Sequence, residues 1–453
     1  MRQQRKKIQL QKRFSLVTIV LLLFSLESQA AEFSDPRSMW GTSPPKEETG
    51  QGVLTLEEAI SIALENHPGI RAAQERAGAQ QAVVGQQVAA YYPTITFNNS
   101  YRTTNGSDGT SVEPKAFDVF SSQASFDMVL HNFGKREGAV QSARHRLEAT
   151  RHAYSATAND VVLAVKEAFY GYLQARALLK VREETVKDRE LLVHQAQEFF
   201  AAGIRARIDV SRAESDLHNA RADLIAAEGG VKIAWAALKN TLGVEDFPER
   251  PMADVLSVTP PSISLEEAKK ASFSARPELQ QLDAERKAQD QQLATARRGH
   301  LPDILFTANY GRTNSSLNGN TFPLQPIWTV QVGLNIPIFE GFRTAHKVEE
   351  ALHSYYFVKA QEKQQKQRVV LEVEQSYFRL VEAEGRSKAT DAAVRSANEN
   401  LNLARGRYEL GVGSIIEVTD AQTLHTDAQT NHIRSLYDYK IAEAQLMRAI
   451  GRQ

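Results

Sequence analysis

The sequence predicts a mainly α-helical fold with a β-sheet part, in which long helical hairpins are duplicated in tandem and accompanied by two β-hairpins. Three observations predict it: a near-constant internal repeat, long proline-free stretches of helix-forming residues, and four segments of alternating polarity. The 453 residues include 54 basic and 54 acidic side chains and no cysteine. This charge balance gives no basic surface for nucleic acid, and stability must come from packing or oligomerisation.

The first thirty residues have the organisation of a secretory signal peptide. Six basic residues precede an apolar run from Phe14 to Phe24, which is followed by the small-residue sequence Ser28-Gln29-Ala30. The run has roughly half of the ~20 apolar residues that a helix needs to cross a bilayer. We therefore expect a cleaved signal peptide at 1–30 and an N-terminal periplasmic segment at 31–53.

The remaining chain contains an internal duplication. The sequence Leu-Glu-Glu-Ala that begins at Leu56 recurs 209 residues later at Leu265, and Gly203 recurs 208 residues later as Gly411. Offsets this constant over many elements are hard to produce by chance. They predict a first repeat at 54–247, a proline-rich linker at 248–262, and a second repeat at 263–453.

Each repeat is predicted to begin with a shorter helix and to continue with a β-hairpin. The helices are placed at Leu56 to Val88 and at Leu265 to Arg297. Period-two alternation, as in Ile95 and Phe97 against Thr96 and Asn98, predicts the strands. The four strands are Thr94 to Arg102, Phe117 to Met128, Ile304 to Gly311 and Ile327 to Asn335. Polar loops at 104–109 and 314–320 join them in pairs.

The last part of each repeat is predicted to be a long helical hairpin. No proline occurs between Pro114 and Pro248 or after Pro337, and a helix from about Arg136 to about Phe200 would be about 100 Å long. Small and apolar residues from Val210 to Leu238 recur at alternating spacings of three and four. The same seam in the second repeat is interrupted at His425, His432 and Ser435.

The turns of the two hairpins are marked by glycine followed by an acidic residue. Gly203 and Gly411 lie where each long helix should end. Asp209 and Glu417 lie near the start of the returning helices, where the helix dipole favours negative charge.

Four strands of about ten residues suit a tilted membrane span with an apolar outer face and a polar lumen. A closed barrel needs about eight strands, and hydrocarbon does not tolerate open sheet edges. Several chains are therefore expected to share one barrel. One alternative is a soluble periplasmic protein whose small two-hairpin sheet is buried on its own helices. Two others are a soluble periplasmic adaptor, which also has long helical hairpins, and a coiled-coil scaffold protein.

The chain resembles the TolC-type outer-membrane factors over almost its whole mature length. The resemblance rests on Leu54-Thr55-Leu56-Glu57-Glu58-Ala59, on Ile336-Pro337-Ile338-Phe339-Glu340-Gly341 and on the two glycine turns. It implies a homotrimer with a 12-stranded transmembrane β-barrel and an α-barrel below it, and it makes the linker at 248–262 part of an equatorial segment near mid-tunnel. It also implies an outer-membrane duct for tripartite efflux or type I secretion, whose partners are a periplasmic adaptor (membrane fusion protein) and an inner-membrane pump.

The resemblance further implies functional residues at the hairpin turns. In the family the inner turn of the second repeat carries rings of carboxylates, which match Glu417 and Asp420. The simpler interpretation is that Glu417 only complements a helix dipole and that Asp420 is an exposed helix residue. The selective ring would favour cations.

Polar links between the two turns hold such channels closed, and Asp209 with Tyr408 matches one of them. A second link uses an arginine two residues after the turn glycine, but this chain has Gly413 there. Arg205 and Arg207 on the first turn are candidates to supply the cation instead.

No sequence pattern of an enzyme is present: there is no nucleophile elbow, phosphate loop or zinc-protease pair. Histidines occur in three pairs seven residues apart, which two helical turns would place near 10 Å from each other. The pairs are His145/His152, His346/His353 and His425/His432. They are interpreted as surface or seam residues, and no cofactor or metal is predicted.

Overall fold

The structure is a computed structural model that describes residues 52–106, 115–254, 256–258, 263–317, 320–321 and 323–452. The predicted signal peptide at 1–30 and residues 31–51 lie outside this part of the chain. None of the helices within it combines the length and the hydrophobicity needed to cross a bilayer.

The two halves of the chain contain corresponding elements. The first contains α1 (Leu56–Asn66), α2 (Pro68–Val88), β1 (Thr94–Gly106), β2 (Lys115–His131), α3 (Lys135–Ala201) and α4 (Arg207–Leu242). The second contains α5 (Leu265–Ala275), α6 (Pro277–Arg297), β3 (Asp303–Leu317), β4 (Asn320–Thr321), β5 (Gln325–Asn335), α7 (Arg343–Glu409) and α8 (Ile415–Ala449). Both long helices, α3 and α7, have 67 residues.

The prediction of one continuous helix before each β-hairpin is wrong. Each is divided in two, at His67 and at Arg276, and both residues have extended backbones with ψ near 120°. The cause is the proline that follows, because its ring disfavours helical geometry in the preceding residue while suiting the first position of the next helix. The side chain of His67 then caps α2 by accepting a hydrogen bond from the Gly69 amide at 3.1 Å.

The strands form an antiparallel sheet in which the long strands lie in the order β1, β2, β3, β5. The strands are longer than the sequence predicts: β1 continues to Gly106 and β3 to Leu317, so both predicted loops begin too early. The two-residue strand β4 was not predicted and pairs with the end of β3. Residues 107–114 of the first loop lie outside the described chain.

One face of this sheet is apolar and uncovered. Register places Ile95, Phe126, Ala308 and Val330 in one row and Phe97, Ala124, Tyr310 and Trp328 in the next. Trp328 is 71% exposed and Tyr101 is 68% exposed. The alternative of a sheet buried on its own helices therefore does not describe this chain. The opposite face carries polar rows such as Thr96, Ser125, Asn309 and Thr329.

The helices pack as a layer around the two long ones. Near the sheet, α6 lies between α3 and α7, with the Ser142 hydroxyl on α3 donating to the Ala288 carbonyl on α6 at 3.0 Å. Far from the sheet, α8 takes that place, while α4 packs on the other side of α3. In this part of the molecule, buried residues of α3, α4, α7 and α8 form one apolar cluster.

The segment between the repeats packs at the level where the short helices meet α4 and α8. Leu54 and Met252 form a parallel bridge, and the Tyr437 hydroxyl on α8 donates to Asp254 at 2.8 Å. The Tyr172 hydroxyl on α3 donates to Glu249 at 2.5 Å, and burial with this hydrogen bond raises the pKa of Tyr172 to about 12. The linker thus fastens α3 and α8 at mid-length.

Candidate functional site: the paired hairpin tips

The first hairpin turns back between α3 and α4 through a tight glycine turn. Gly203 has a φ of +72°, which glycine adopts without strain. The Phe199 carbonyl accepts hydrogen bonds from the amides of Ile204 at 2.9 Å and Arg205 at 3.2 Å. These bonds close the end of α3, and α4 begins two residues later with no side-chain cap.

The second hairpin repeats this turn between α7 and α8. Gly411 has a φ of +77°, and the Arg407 carbonyl accepts from the amides of Val412 at 3.0 Å and Gly413 at 2.8 Å. Here the returning helix is capped, because the Ser414 hydroxyl accepts from the Glu417 amide at 3.2 Å. A Cβ atom at Gly413 would lie 3.0 Å from Arg407 and Tyr408, so the turn leaves little room for a side chain there.

Arg205 joins the two tips. Its Nη2 atom donates to the Gly413 carbonyl at 2.5 Å and to the Gly411 carbonyl at 3.2 Å, and its guanidinium lies 5.3 Å from the ring centre of Tyr408. Arg205 and Gly413 occupy equivalent positions in the two repeats. The first tip therefore places a cation at the position where the second tip has none of its own.

Tyr408 is buried behind this contact. It is 1% exposed, and its ring meets Phe199 edge to face at 5.5 Å. Burial raises the pKa of Tyr408, and the Asp209 carboxylate adds to the effect. The Tyr408 hydroxyl nevertheless has no hydrogen-bond partner in the described chain, so Asp209 acts on it through charge and not through a hydrogen bond.

The two predicted acidic residues lie on the exposed side of α8, one helical turn apart. Glu417 accepts from Arg407 Nε at 3.1 Å, in an ion pair that is about half exposed. Asp420 is exposed and contributes to the electrostatic environment of Arg189. Arg207 is also exposed. The structure thus brings Arg205 to the second tip, whereas Glu417 meets a cation of its own hairpin.

Sequence reasoning missed Arg189, which lies on α3 about 18 Å from the tip end of that helix, in the direction of the sheet. It is buried and donates to Gln422 and Thr423 on α8. The missed signal is its spacing: Val186, Arg189, Val193 and Ala196 continue an apolar seam with steps of three and four. Within the described residues, no group of three or more acidic or histidine side chains could hold a metal ion.

Comparison with known proteins agrees with this architecture. The family described as outer membrane efflux protein matches residues 59–244 and 271–452. CyaE of Bordetella pertussis is 27% identical over 437 residues, which cover 94% of this chain and 89% of CyaE. TolC of Vibrio cholerae is 26% identical over 406 residues, covering 87% of this chain and 90% of TolC.

Among solved structures, a CusC crystal structure concerned with folding and transmembrane channel formation superimposes with a TM-score of 0.77. The alignment covers 88% of this chain and 92% of the CusC chain at 21% identity. At that identity the similarity establishes the fold.

Proposed function

Because this chain belongs to the outer membrane efflux protein family and is an outer-membrane channel for efflux or type I secretion, we propose that three copies form one conduit. The predicted signal peptide at 1–30 would direct each copy to the periplasm. Four strands from each copy would close a barrel of 12, and the long hairpins would form a helical tube below it. The conduit carries substrate passively and has no enzymatic role.

The observation that carries this proposal is the sheet. In the described chain β1 pairs only with β2, and the far edge of β5 has no neighbour. Both edges thus present unpaired backbone groups next to an exposed apolar face, which in lipid requires neighbouring strands on both sides. Copies joined from β5 to β1 satisfy both edges with one repeated contact.

The outer helices of the layer support the same arrangement. Ile225 and Ile233 on α4 are exposed, as are Phe357 and Phe378 on α7. These two helices are the ends of the layer, since α4 packs mainly on α3 and α7 packs on α6 and α8. Exposed apolar side chains at both ends suit packing of α4 from one copy against α7 from the next.

The tips would meet the partner proteins. Ile208, Leu410 and Val412 are exposed at the tips, with Leu410 81% exposed. An apolar end on a polar helical tube suits docking of a periplasmic adaptor, which would connect the channel to an inner-membrane pump. The pump would supply the energy and select the cargo.

The contact between the tips would be the gate. Arg205 holds the turn of the second hairpin through two carbonyl groups, so movement of that hairpin requires these hydrogen bonds to break. In a trimer Glu417 and Asp420 would form acidic rings near the constriction, which favour cations. Arg407 offsets the charge of Glu417, so Asp420 is the stronger candidate for selectivity.

Planar-bilayer recordings of the purified assembly test the gate, with its intact mass measured first to establish three copies. Arg205→Ala should raise the fraction of time in the open state about tenfold, since hydrogen bonds from a charged donor are worth about 1.5 kcal/mol or more. Asp209→Ala with Tyr408→Phe should have less effect, because no hydrogen bond joins these side chains.

Arg207→Ala is the matched control, since Arg207 lies two residues away on the same tip and is exposed. An equal fraction of time in the open state for the Arg205→Ala and Arg207→Ala channels would refute the gate assignment. A monodisperse single chain that does not enter bilayers would refute the channel arrangement as a whole.

A further inference from the structure

Arg189 and its neighbour Asp188 join the four helices α3, α4, α7 and α8 at one height in the layer. From α3, Arg189 Nη1 donates to Gln422 Oε1 at 2.8 Å, and Nη2 donates to Thr423 Oγ1 at 2.9 Å and to the Thr419 carbonyl at 3.4 Å. All three acceptors lie on α8. Arg189 Nη1 also lies 3.7 Å from the Asp216 carboxylate on α4.

Asp188 extends the same level to the remaining helix. Its carboxylate forms an ion pair with Arg405 on α7 at 2.7 Å, and its carbonyl accepts from Gln422 Nε2 at 3.4 Å. The two consecutive residues of α3 therefore contact α4, α7 and α8. We name this set the clasp: Asp188, Arg189, Asp216, Arg405, Gln422 and Thr423.

Only the first repeat supplies the charged residues Asp188 and Arg189 of the clasp. The positions equivalent to Asp188 and Arg189 in the second repeat are Ser396 and Ala397. Burial lowers the pKa of Arg189, and the carboxylates of Asp216, Asp188 and Asp420 oppose this effect. A buried cation persists only where its donors are satisfied, so the geometry of α8 relative to α3 is fixed here more strictly than apolar packing would fix it.

The segment between the clasp and the tip is held differently. Between the clasp and the tip the hairpins meet through apolar residues such as Ala196, Ile415 and Val418, and the next polar contact between them among the described residues is that of Arg205 at the tip. Apolar contacts are not directional and allow sliding, whereas the hydrogen bonds of Arg189 do not. Each hairpin thus has a polar contact at the tip and a second one at the clasp. The clasp lies about 18 Å from the end of α3 at Arg189, about 6 Å from the end of α7 at Arg405 and about 10 Å from the start of α8 at Gln422.

We propose that the clasp is the pivot of the second hairpin. Opening then moves only the parts of α7 and α8 between the tip and Arg405 and Gln422, while the helices on the sheet side of the clasp keep their packing. Arg189 is the positioning residue of this pivot. The proposal rests on the proposed gate at the tips and adds where the movement ends.

The test uses spin labels on cysteines, which the chain otherwise lacks. One label pair at Phe200 and Leu410 reports the segment below the clasp, and a pair at Glu183 and Asn431 reports the segment above it. All four side chains are exposed. In the trimer opened by Arg205→Ala, we expect the distance distribution to broaden for the lower pair only.

Adding Arg189→Met to Arg205→Ala should broaden the upper pair as well and raise open-state occupancy about tenfold further. Arg189→Lys, in the same Arg205→Ala background, should return the upper distance distribution and the open-state occupancy part of the way to the values with Arg189, since lysine keeps a hydrogen-bond donor. The matched control is Arg182→Met, because Arg182 lies two turns earlier on α3 and its ion pair with Asp223, at 3.6 Å, stays within the first hairpin.

An unchanged upper distribution in the Arg189→Met channel, or the same broadening with Arg182→Met, would overturn the pivot. Failure of the gate itself has a different signature. In that case Arg205→Ala leaves the lower pair unchanged, whatever residue occupies position 189.

Discussion

The two hairpin tips have the same turn but different side chains. In both, a glycine with φ above +70° follows the long helix, and one carbonyl accepts two amides of the turn. The second tip is complete by itself, with the Ser414 cap and the Arg407 to Glu417 ion pair. The first tip lacks a side-chain cap and instead sends Arg205 to its neighbour. Duplication thus preserved the backbone, and divergence turned two equal tips into a donor and an acceptor.

The same contrast appears at mid-length, where His67 in the first repeat corresponds to Arg276 in the second. His67 is partly buried and caps one helix, whereas Arg276 is 1% exposed and contacts Glu278 at 2.9 Å and Glu372 at 2.5 Å. Arg448, near the end of α8, contacts the same two carboxylates. Equivalent backbone positions therefore carry contributions to stability of different size.

The largest expected effect comes from Arg276→Met. It leaves the Glu278 and Glu372 carboxylates with Arg448 as the remaining ion-pair partner among the described residues, and breaking a buried ion pair costs about 3–5 kcal/mol. The measurement is urea unfolding in detergent followed by circular dichroism. His67→Ala, its repeat counterpart, should cost only about 1 kcal/mol, as loss of a helix cap does. Equal losses for the two variants would show that the repeats did not diverge here.

Next in size is Gly243→Ala at the end of α4. Gly243 has a φ of +72°, and an added Cβ would lie 2.7 Å from the His67 Cα atom and 2.9 Å from the Asn66 carbonyl group. Backbone atoms cannot move aside cheaply, so we expect a loss of about 2–3 kcal/mol in the same unfolding assay.

Gly203→Ala separates the two causes of that loss. Gly203 has the same φ of +72°, but nothing lies within 4 Å of an added Cβ. Only the backbone preference remains, and the expected loss is about 1 kcal/mol. If both glycine variants lose the same stability, the close approach of Gly243 to His67 and Asn66 adds nothing to the cost of the substitution.

The contrast between the repeats also explains what the sequence could predict. Element type and order followed from periodicity, and the turns followed from Gly203 and Gly411, because these depend on neighbours along the chain. The break at His67 is also a local feature, because it is caused by the proline that follows. The arginine that supplies the cation was open between Arg205 and Arg207. The choice depends on how the two hairpin tips, 208 residues apart in the sequence, pack against each other.

Arg189 and Tyr408 show the limit more clearly. An arginine on an apolar seam signals a buried partner, yet Gln422 and Thr423 carry no matching charge that would identify them. The sequence suggests a hydrogen bond from Tyr408 to Asp209, but the Tyr408 hydroxyl is buried with no hydrogen-bond partner among the described residues. Side-chain direction at the tip is set by how α3 and α8 cross, and local sequence does not encode that.

The smallest expected effect is a pH dependence confined to the second hairpin. Burial lowers the pKa of His425 from 6.5, and Arg405 on α7 adds to this, while Asp188 and Glu184 on α3 oppose it. The unfolded chain therefore binds a proton at a higher pH than the folded chain does. Stability from neutral His425 is present above pH 6.5 and is lost as pH falls below it.

His425→Gln should therefore reduce the difference in thermal unfolding temperature between pH 7.5 and pH 5.5 (about one pH unit either side of the ordinary histidine value). The control is His194→Gln, because His194 is 70% exposed on α3 near the first tip and pairs only with Glu198 of its own helix among the described contacts. If both variants show the full wild-type difference, acid sensitivity arises elsewhere. A reduced difference for His425→Gln alone would place the pH response in the second hairpin. There His425 is within the electrostatic influence of the Asp188–Arg405 ion pair of the clasp.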